Sequence, residues 1–280
     1  MVARVVWLLA ILSLIPVATC WGATGNTPLE LSRAVRLQGC RGHSGTSAPL
    51  RYVGGLNEAS LALSHGVPLK SAVAQAGYRE QQSASVHVSG DSGALKGMLA
   101  NQLCEIVVDP KFSDIGVAQR GRDTWMIFAV PFNPPSADSS DMVDSELLAR
   151  INSARAQSRR CGSKFFAAAP PLRANALLRT AAQEHAHDML VHNYFAHEDH
   201  DGSSPAQRVA AAGYAYRIVG ENIASGPENA AQAVAGWIAS PEHCENLMDA
   251  RFADSGVAYA ASTSGAPRIY WVQDFGLEKR

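Results

Sequence analysis

The chain has 280 residues, of which 47% are hydrophobic and 18% are charged. Its 24 Lys and Arg residues against 25 Asp and Glu residues give a formal net charge of −1. This balance provides no electrostatic footprint for nucleic acid and no basic surface for anionic membranes, so we expect no nucleic-acid partner. At about 100–200 residues per domain, the length predicts one large domain or two small ones.

The first twenty residues have the three-part layout of a secretory signal peptide. Arg4 supplies a positive charge, residues 5–17 (VVWLLAILSLIPV) are apolar, and small residues follow. The apolar run is shorter than the roughly 20 residues of a membrane span, which disfavours the alternative of an N-terminal anchor helix. We therefore expect an exported protein, secreted or periplasmic, with no transmembrane span in the mature chain.

Cys20 offers a second route to the cell surface. The segment Val17-Ala18-Thr19-Cys20 resembles a bacterial lipobox, although Thr19 is an unusual residue before the cysteine. Cys20 is therefore either removed with the signal peptide or lipidated. In both cases four cysteines remain in an oxidising compartment, where pairing is expected.

The rest of the chain contains an internal repeat. Gly66–Gly90 aligns without gaps on Gly202–Gly226, and Cys104–Ala118 aligns on Cys244–Ala258. The last pair sets FSDIGVA against FADSGVA, and each copy then ends in an aromatic and β-branched run. Chance similarity of Ala-rich segments is the alternative, but the blocks occur in the same order in both copies.

The repeat predicts the domain organisation. It places one domain at residues 27–132 and a second at 143–280, joined by a Pro- and Ser-rich linker at 133–142. We call the two domains the first half and the second half. Helices and strands alternate in both, which favours an α/β fold of two tandem domains, each with a small sheet covered by helices.

The clearest predicted elements lie in the second half. Helical spacing predicts a first helix at Glu146–Gln157, and Asn175 is a candidate cap for a second. Enrichment in Val, Tyr, Trp and Ile predicts the strands. The remaining predicted helices are 176–191, 205–212 and 230–239, and the predicted strands are 256–260 and 269–275.

The cysteines follow the symmetry of the repeat. Four cysteines allow three connectivities. Cys40 and Cys161 precede matching blocks, and Cys104 and Cys244 occupy matching later positions. The repeat therefore selects Cys40 with Cys104 and Cys161 with Cys244, one disulfide in each half.

Acidic and imidazole groups appear only in the second copy. Glu221 lies opposite Ser85 of the first copy, and His243 lies opposite Leu103. An insert at residues 188–201 adds three histidines, at positions 192, 197 and 200. The chemistry of the protein is therefore expected in the second half.

His197, Glu221 and His243 are the candidate site. Neutral imidazole and carboxylate are ordinary zinc ligands, and three such ligands leave an open position on the metal. The alternative is a set of polar residues on separate loops. We expect His192 and His200 to be solvated, and the His-x-His pair at 185 and 187 to lie at the surface or at the edge of the core.

The second half resembles a CAP domain, the superfamily of cysteine-rich secretory proteins, antigen 5 and plant pathogenesis-related proteins, in its short bacterial SCP-like form. The resemblance covers residues 144–276. It rests on AAQEHAHDM, NYFAHEDHDG, AAGY, GENIASG, GWIASPEHCENLM, FADSGVA and YWVQDFG, in that order. The first half resembles a degenerate copy.

The resemblance implies an exported α-β-α sandwich, with a small, mostly antiparallel sheet between helices. It also implies a cleft that often holds histidines and glutamates and can bind zinc or another divalent cation. His197 in NYFAH and Glu221 in GEN match two of these residues. Ser240 and Tyr270 stand where larger members have the other Glu and His, and His243 is the expected substitute. These departures put a complete four-residue site in doubt.

Three functions remain open at this point. The leading hypothesis is a non-enzymatic exported module that binds a small-molecule, lipid or cell-envelope ligand through His197, Glu221 and His243. The alternative is a metal-dependent hydrolase of peptides or envelope polymers, in which Glu221 or Glu242 is the general base. A purely structural tandem scaffold is the third.

Overall fold

The protein is described by a computed structural model that covers residues 27–279. The predicted signal peptide at residues 1–20 and the candidate lipidation residue Cys20 lie outside these residues. From residue 27 to residue 279, no helix has both the length and the apolar character that crossing a bilayer requires.

The first half alternates helices and strands. Thr27 begins the first helix with a capping box, because its side chain and that of Glu30 satisfy each other's backbone N–H groups. The elements are α1 (Pro28–Gln38), β1 (Arg51–Tyr52), α2 (Gly54–Ser64), α3 (Leu69–Gln75), β2 (Glu80–Ser89), α4 (Ser92–Asn101), α5 (Cys104–Val108), β3 (Asp114–Arg120) and β4 (Asp123–Pro131).

The second half follows a short 3₁₀ turn at Ala137–Ser139. Its elements are α6 (Ser140–Arg155), β5 (Arg159–Cys161), β6 (Lys164–Phe166), β7 (Arg173–Ala174), α7 (Ala176–His192), α8 (Pro205–Ala211), β8 (Tyr216–Ser225), α9 (Ala230–Ala239), α10 (Pro241–Met248), β9 (Asp254–Ala261) and β10 (Ile269–Glu278). Helix α6 begins at Ser140, inside the segment predicted as the linker and earlier than predicted, because residues 140–145 (SDMVDS) form its first turns.

Each half contains a four-stranded sheet, and the strand orders correspond. The first sheet runs β1-β3-β4-β2 and the second runs β7-β9-β10-β8. In both sheets the short edge strand pairs in parallel and the other pairs are antiparallel. The predicted mixed α/β class with small, mostly antiparallel sheets is confirmed.

The second sheet lies between two layers of helices. Successive residues of a strand point to opposite faces. Trp271 of β10 therefore packs in the core cluster that includes Leu147 of α6 and Trp237 of α9, whereas Val272 packs in the cluster that includes Ala182 of α7. The interior of the second half is thus filled on both faces of the sheet.

Each half has a buried arginine that binds backbone carbonyl oxygens in the same way. Arg36 donates hydrogen bonds to the carbonyl oxygens of Ala48, Val107, Asp109 and Phe112. Arg155 donates to those of Pro170, Leu247, Asp249 and Phe252. Burial lowers the pKa of both guanidinium groups. Each arginine joins the first helix of its half to the segment that precedes β3 or β9.

Two disulfide bonds are present. Cys40 pairs with Cys104, and Cys161 pairs with Cys244, with Cα–Cα distances of 5.7 and 5.4 Å. These distances are ordinary for protein disulfides. The pairs are those that the repeat predicts.

Candidate functional site

Helix α7 and the segment after it place the first imidazole. Asn175 caps the helix by accepting hydrogen bonds from the backbone N–H groups of Leu177 and Leu178. Asn193 ends it in the left-handed conformation, with φ of 55°, which Asn tolerates better than most residues. The chain then turns back along the helix, and this brings His197 over the β8 edge of the sheet.

His197 and Glu221 form a hydrogen-bonded pair. Nδ1 of His197 lies 2.6 Å from Oε1 of Glu221. The Glu221 side chain is only 2% exposed, whereas that of His197 is 47% exposed. The hydrogen bond to Glu221 raises the pKa of His197 against the opposing effect of burial. The half-exposed His197 ring can therefore present a positive charge at the surface of the domain.

His243 lies near this pair but does not contact Glu221 through its ring. Its Nδ1 is 2.8 Å from Oγ of Ser240, and its carbonyl oxygen accepts a hydrogen bond from the Asn222 side chain. Burial and the neighbouring His197 lower the pKa of His243. As the pH falls, His197 is therefore protonated before His243.

Arg208 of α8 binds the second oxygen of Glu221. Its Nη2 lies 2.5 Å from Oε2 of Glu221, and both side chains are almost fully buried. Its Nη1 donates to Oδ1 of Asp199 and to the carbonyl oxygens of His197 and Ser203. Because a buried carboxylate needs a counter-charge, Arg208 is what allows Glu221 to lie in the interior as an anion.

His185 belongs to the same buried group, which corrects the expectation that it lies at the surface or core edge. Its ring is fully buried, with Nδ1 2.5 Å from Oδ1 of Asp199 and Nε2 3.0 Å from the carbonyl oxygen of Ala196. It faces inward because it shares the buried side of α7 with Ala182 and Met189, whereas His187 is exposed.

Asp274 completes the group from the neighbouring strand. It pairs in register with Glu221 across β10 and β8, and it is fully buried. Within residues 27–279, neither of its carboxylate oxygens has a hydrogen-bond partner. Burial, followed by the charge of Glu221, raises the pKa of Asp274 well above its usual range. Asp274 is therefore harder to ionise than an exposed aspartic acid.

We call these six residues the acid–imidazole cluster: His185, His197, Asp199, Arg208, Glu221 and Asp274. Sequence reasoning selected two of them and missed the rest. The comparison of the two copies carries a signal for two more, because Arg208 corresponds to Ala72 and Asp274 corresponds in sheet register to Ile127. His185 and Asp199 have no such signal, since their contact depends on the fold of the insert.

His192 and His200 lie outside the cluster and are exposed, as expected. Their rings stack with centroids 4.1 Å apart. Asp188 holds the arrangement by contacting Nδ1 of His192 and by accepting hydrogen bonds from the Tyr194 hydroxyl and the His200 backbone. These contacts fix the insert against α7.

The contacts of Glu221 decide whether a metal fits among His197, Glu221 and His243. Both carboxylate oxygens of Glu221 already accept hydrogen bonds, from His197 and Arg208. The guanidinium of Arg208 would also lie beside the cation. In the described part of the chain, no group of three or more His, Cys, Asp or Glu side chains is arranged to hold a metal ion. The residues as placed do not fit a metal bound through Glu221.

Comparison with known proteins relates the second half to one family. The sequence model of the cysteine-rich secretory protein family (CAP) matches residues 148–275. The uncharacterized protein YkwD of Bacillus subtilis (strain 168) is 32% identical over 105 residues. That match covers 38% of this chain and 39% of YkwD, so the chain spans about two fifths of the curated relative.

Solved structures also match this chain. The structure of Na-ASP-1 matches with a TM-score of 0.53 at 12% identity, over 94% of this chain and 92% of its own. An extracellular SCP-domain protein from Bacillus anthracis str. Ames matches with a TM-score of 0.44 at 19% identity, over 56% of this chain and 52% of its own. The likeness to Na-ASP-1 shows a common fold. With the family match, it follows that residues 148–275 of this chain are a domain of the CAP superfamily.

Proposed function

We propose that this protein is an exported, non-enzymatic CAP module that binds a cell-envelope ligand at His197, Glu221 and His243. One observation carries the proposal: the half-exposed ring of His197 is fixed at Nδ1 by the buried Glu221. Nε2, the other ring nitrogen, is therefore available to bind a ligand. The predicted signal peptide and the two disulfides support export, because disulfides persist in oxidising compartments.

The surroundings of His197 favour a ligand group that accepts hydrogen bonds or carries negative charge. A protonated imidazole donates from both ring nitrogens, and Glu221 uses only one of them. Phe195, two residues away, is exposed and stacks on Tyr270 with ring centroids 6.2 Å apart. The exposed Phe195 ring, backed by the buried Tyr270, offers an apolar surface on which the body of a ligand can pack.

The contacts of Glu221 favour binding over hydrolysis. A general base must be free to accept a proton from water, but both oxygens of Glu221 are engaged by His197 and Arg208. Glu242, the other candidate base, is exposed at the first turn of α10. The engaged carboxylate of Glu221 therefore favours a binding module over a metal-dependent hydrolase.

We infer that the first half is a degenerate CAP copy that serves as a structural or partner-binding unit. The corresponding strand orders support this, as do the buried arginines 36 and 155. A second matching feature is the contact of Arg51 and Tyr78 with Asp114, which corresponds to that of Arg173 and Tyr214 with Asp254. Ser85 and Ile127 stand where the second half has its paired acids.

Binding to isolated bacterial peptidoglycan and to phosphatidylglycerol vesicles would test the proposal by co-sedimentation. We expect His197→Ala to weaken binding about tenfold or more, because a hydrogen bond to a charged group is lost. His65→Ala is the matched control, since His65 is an exposed histidine of the first half. Equal binding by both variants, or no binding by the unmodified protein to either material, would overturn the proposal.

The same samples distinguish binding from hydrolysis. Release of soluble fragments from the peptidoglycan would be followed over time, with and without a chelator. Binding without release is the expected result. Release that stops on addition of the chelator would show instead a metal-dependent hydrolase.

A further inference from the structure

A groove of about 750 Å³ lies at the junction of the two halves, away from the acid–imidazole cluster. Its volume is within the range of sites that bind small molecules. Residues of the first half, the connecting segment, α7 and the end of β9 line it. They include Arg79, Phe132, Pro134, Pro135, Leu190 and Tyr259.

Arg79 gives this groove a fixed positive charge. Its Nη2 donates to the carbonyl oxygen and to Oγ of Ser262 in the second half, at 2.5 and 2.8 Å. Its guanidinium also lies 4.9 Å from the centroid of the Phe132 ring. These contacts order the side chain, and both involve neutral groups. From residue 27 to residue 279, no carboxylate forms an ion pair with Arg79.

The lining also lacks any acidic side chain. Apart from Arg79, the described residues that line the groove carry amide, hydroxyl, apolar and imidazole groups. In a chain with almost equal numbers of acids and bases, a groove of this size with a positive side chain and no carboxylate favours an anionic ligand. An arginine fork is also suited to a carboxylate or phosphate group.

The other lining residues define the body of that ligand. One wall of the groove is apolar and is formed by Pro134, Pro135 and Leu190. The Tyr259 ring is fixed, because its hydroxyl donates a hydrogen bond to the carbonyl oxygen of Ser136 at 2.6 Å. An apolar chain extending from the anionic group can therefore lie along a preformed surface. Burial of that chain would supply most of the affinity and Arg79 the selectivity.

We propose that the groove between the halves binds an amphiphilic anion, with a carboxylate or phosphate group at Arg79 and an apolar body along Pro134, Pro135 and Leu190. This site is separate from His197, Glu221 and His243, which do not line the groove. It also gives the first half a role, because Arg79 is a first-half residue placed against the second half.

Calorimetric titration of the full chain with decanoate, decyl phosphate and decanol tests this site. We expect one of the two anions to bind at least tenfold more tightly than decanol, and the stronger one identifies the anionic group. Arg79→Gln should weaken that anion about tenfold or more, whereas Arg79→Lys should retain part of the affinity. Arg217→Gln, at an exposed arginine of β8, is the matched control.

Two further variants test the site even if Arg79→Gln alters the packing of the two halves. Ala137→Trp adds a large side chain at the exposed rim and should block the anion while Arg79 is retained. His197→Ala should bind the anion as the unmodified protein does. Decanol binding as tightly as both anions, unchanged binding by Arg79→Gln and Ala137→Trp, or loss in His197→Ala would each overturn the proposal.

Discussion

Glu221 and Asp274 face each other on adjacent strands, yet the first carboxylate is bound by a buried arginine and the second has no hydrogen-bond partner in the described chain. The corresponding pair in the first sheet is Ser85 and Ile127. The second half therefore differs from the first at this position of the sheet, where it has two acids in opposite environments.

Replacing Glu221 should destabilise the second half strongly. Glu221→Gln removes one of the two carboxylates that face the buried guanidinium of Arg208, and breaking a buried ion pair costs about 3–5 kcal/mol. The free energy of unfolding from urea titration measures this loss. Glu242→Gln, at an exposed glutamate of α10, should change it by less than about 0.5 kcal/mol. Equal effects of the two variants would contradict the buried pair.

Asp274→Asn should stabilise the protein at neutral pH. Burial raises the pKa of Asp274 in the folded state, so the folded protein binds this proton more tightly than the unfolded chain. The resulting stability is present below the unfolded pKa of about 4 and is lost as the pH rises through the folded pKa. An uncharged amide avoids that loss.

Urea titrations from pH 4 to pH 8 would test the Asp274 prediction. The variant should lose less stability than the unmodified protein over this range. If both curves fall in parallel, Asp274 is not the source of the pH dependence.

The two imidazoles of the site should titrate in a definite order. The hydrogen bond to Glu221 raises the pKa of His197 above 6.5, and burial with the charge of His197 lowers that of His243 below it. The stability gained from His197 is therefore present below pH 6.5 and lost as the pH rises through its folded pKa. NMR titration of the ring protons, assigned with His197→Ala and His243→Ala, measures both midpoints. The reverse order would contradict the geometry.

Arg155→Met should cost about 2–4 kcal/mol of unfolding free energy, because buried carbonyl oxygens of four residues lose their donor. Arg36→Met should have a similar effect in the first half. Arg217→Met, at an exposed site, is the control for loss of charge alone. Thermal unfolding followed by circular dichroism would compare the three, and a neutral effect of Arg155→Met would show that water can replace the arginine.

Local patterns were sufficient for much of the fold. The predicted bounds of α9 are those of the structure, because Pro241 follows its end. The predicted α7 differs by one residue at its end, and Asn175 marks its start. Strand β8 was not predicted as a strand. Its centre holds Gly220, Glu221 and Asn222, which sequence patterns assign to loops.

The site needed information that local patterns do not contain. Glu221 is tolerated inside a strand only because Arg208 and His197 arrive from other segments of the chain. Comparison of the two copies located Glu221 as a difference, but it could not supply the partners of that carboxylate. Contacts of this kind depend on how α8 and the insert pack on the sheet, and sequence periodicity does not predict them.

Phe132 ends the first half, yet its ring is buried in the core cluster of the second half, beneath the guanidinium of Arg79. A fragment cut at the Pro-rich connection would therefore lose an aromatic side chain from its interior and leave a void in this core cluster. The boundary that is plain in the sequence runs through a shared hydrophobic contact, so the stability of the later half depends on a residue contributed by the earlier one.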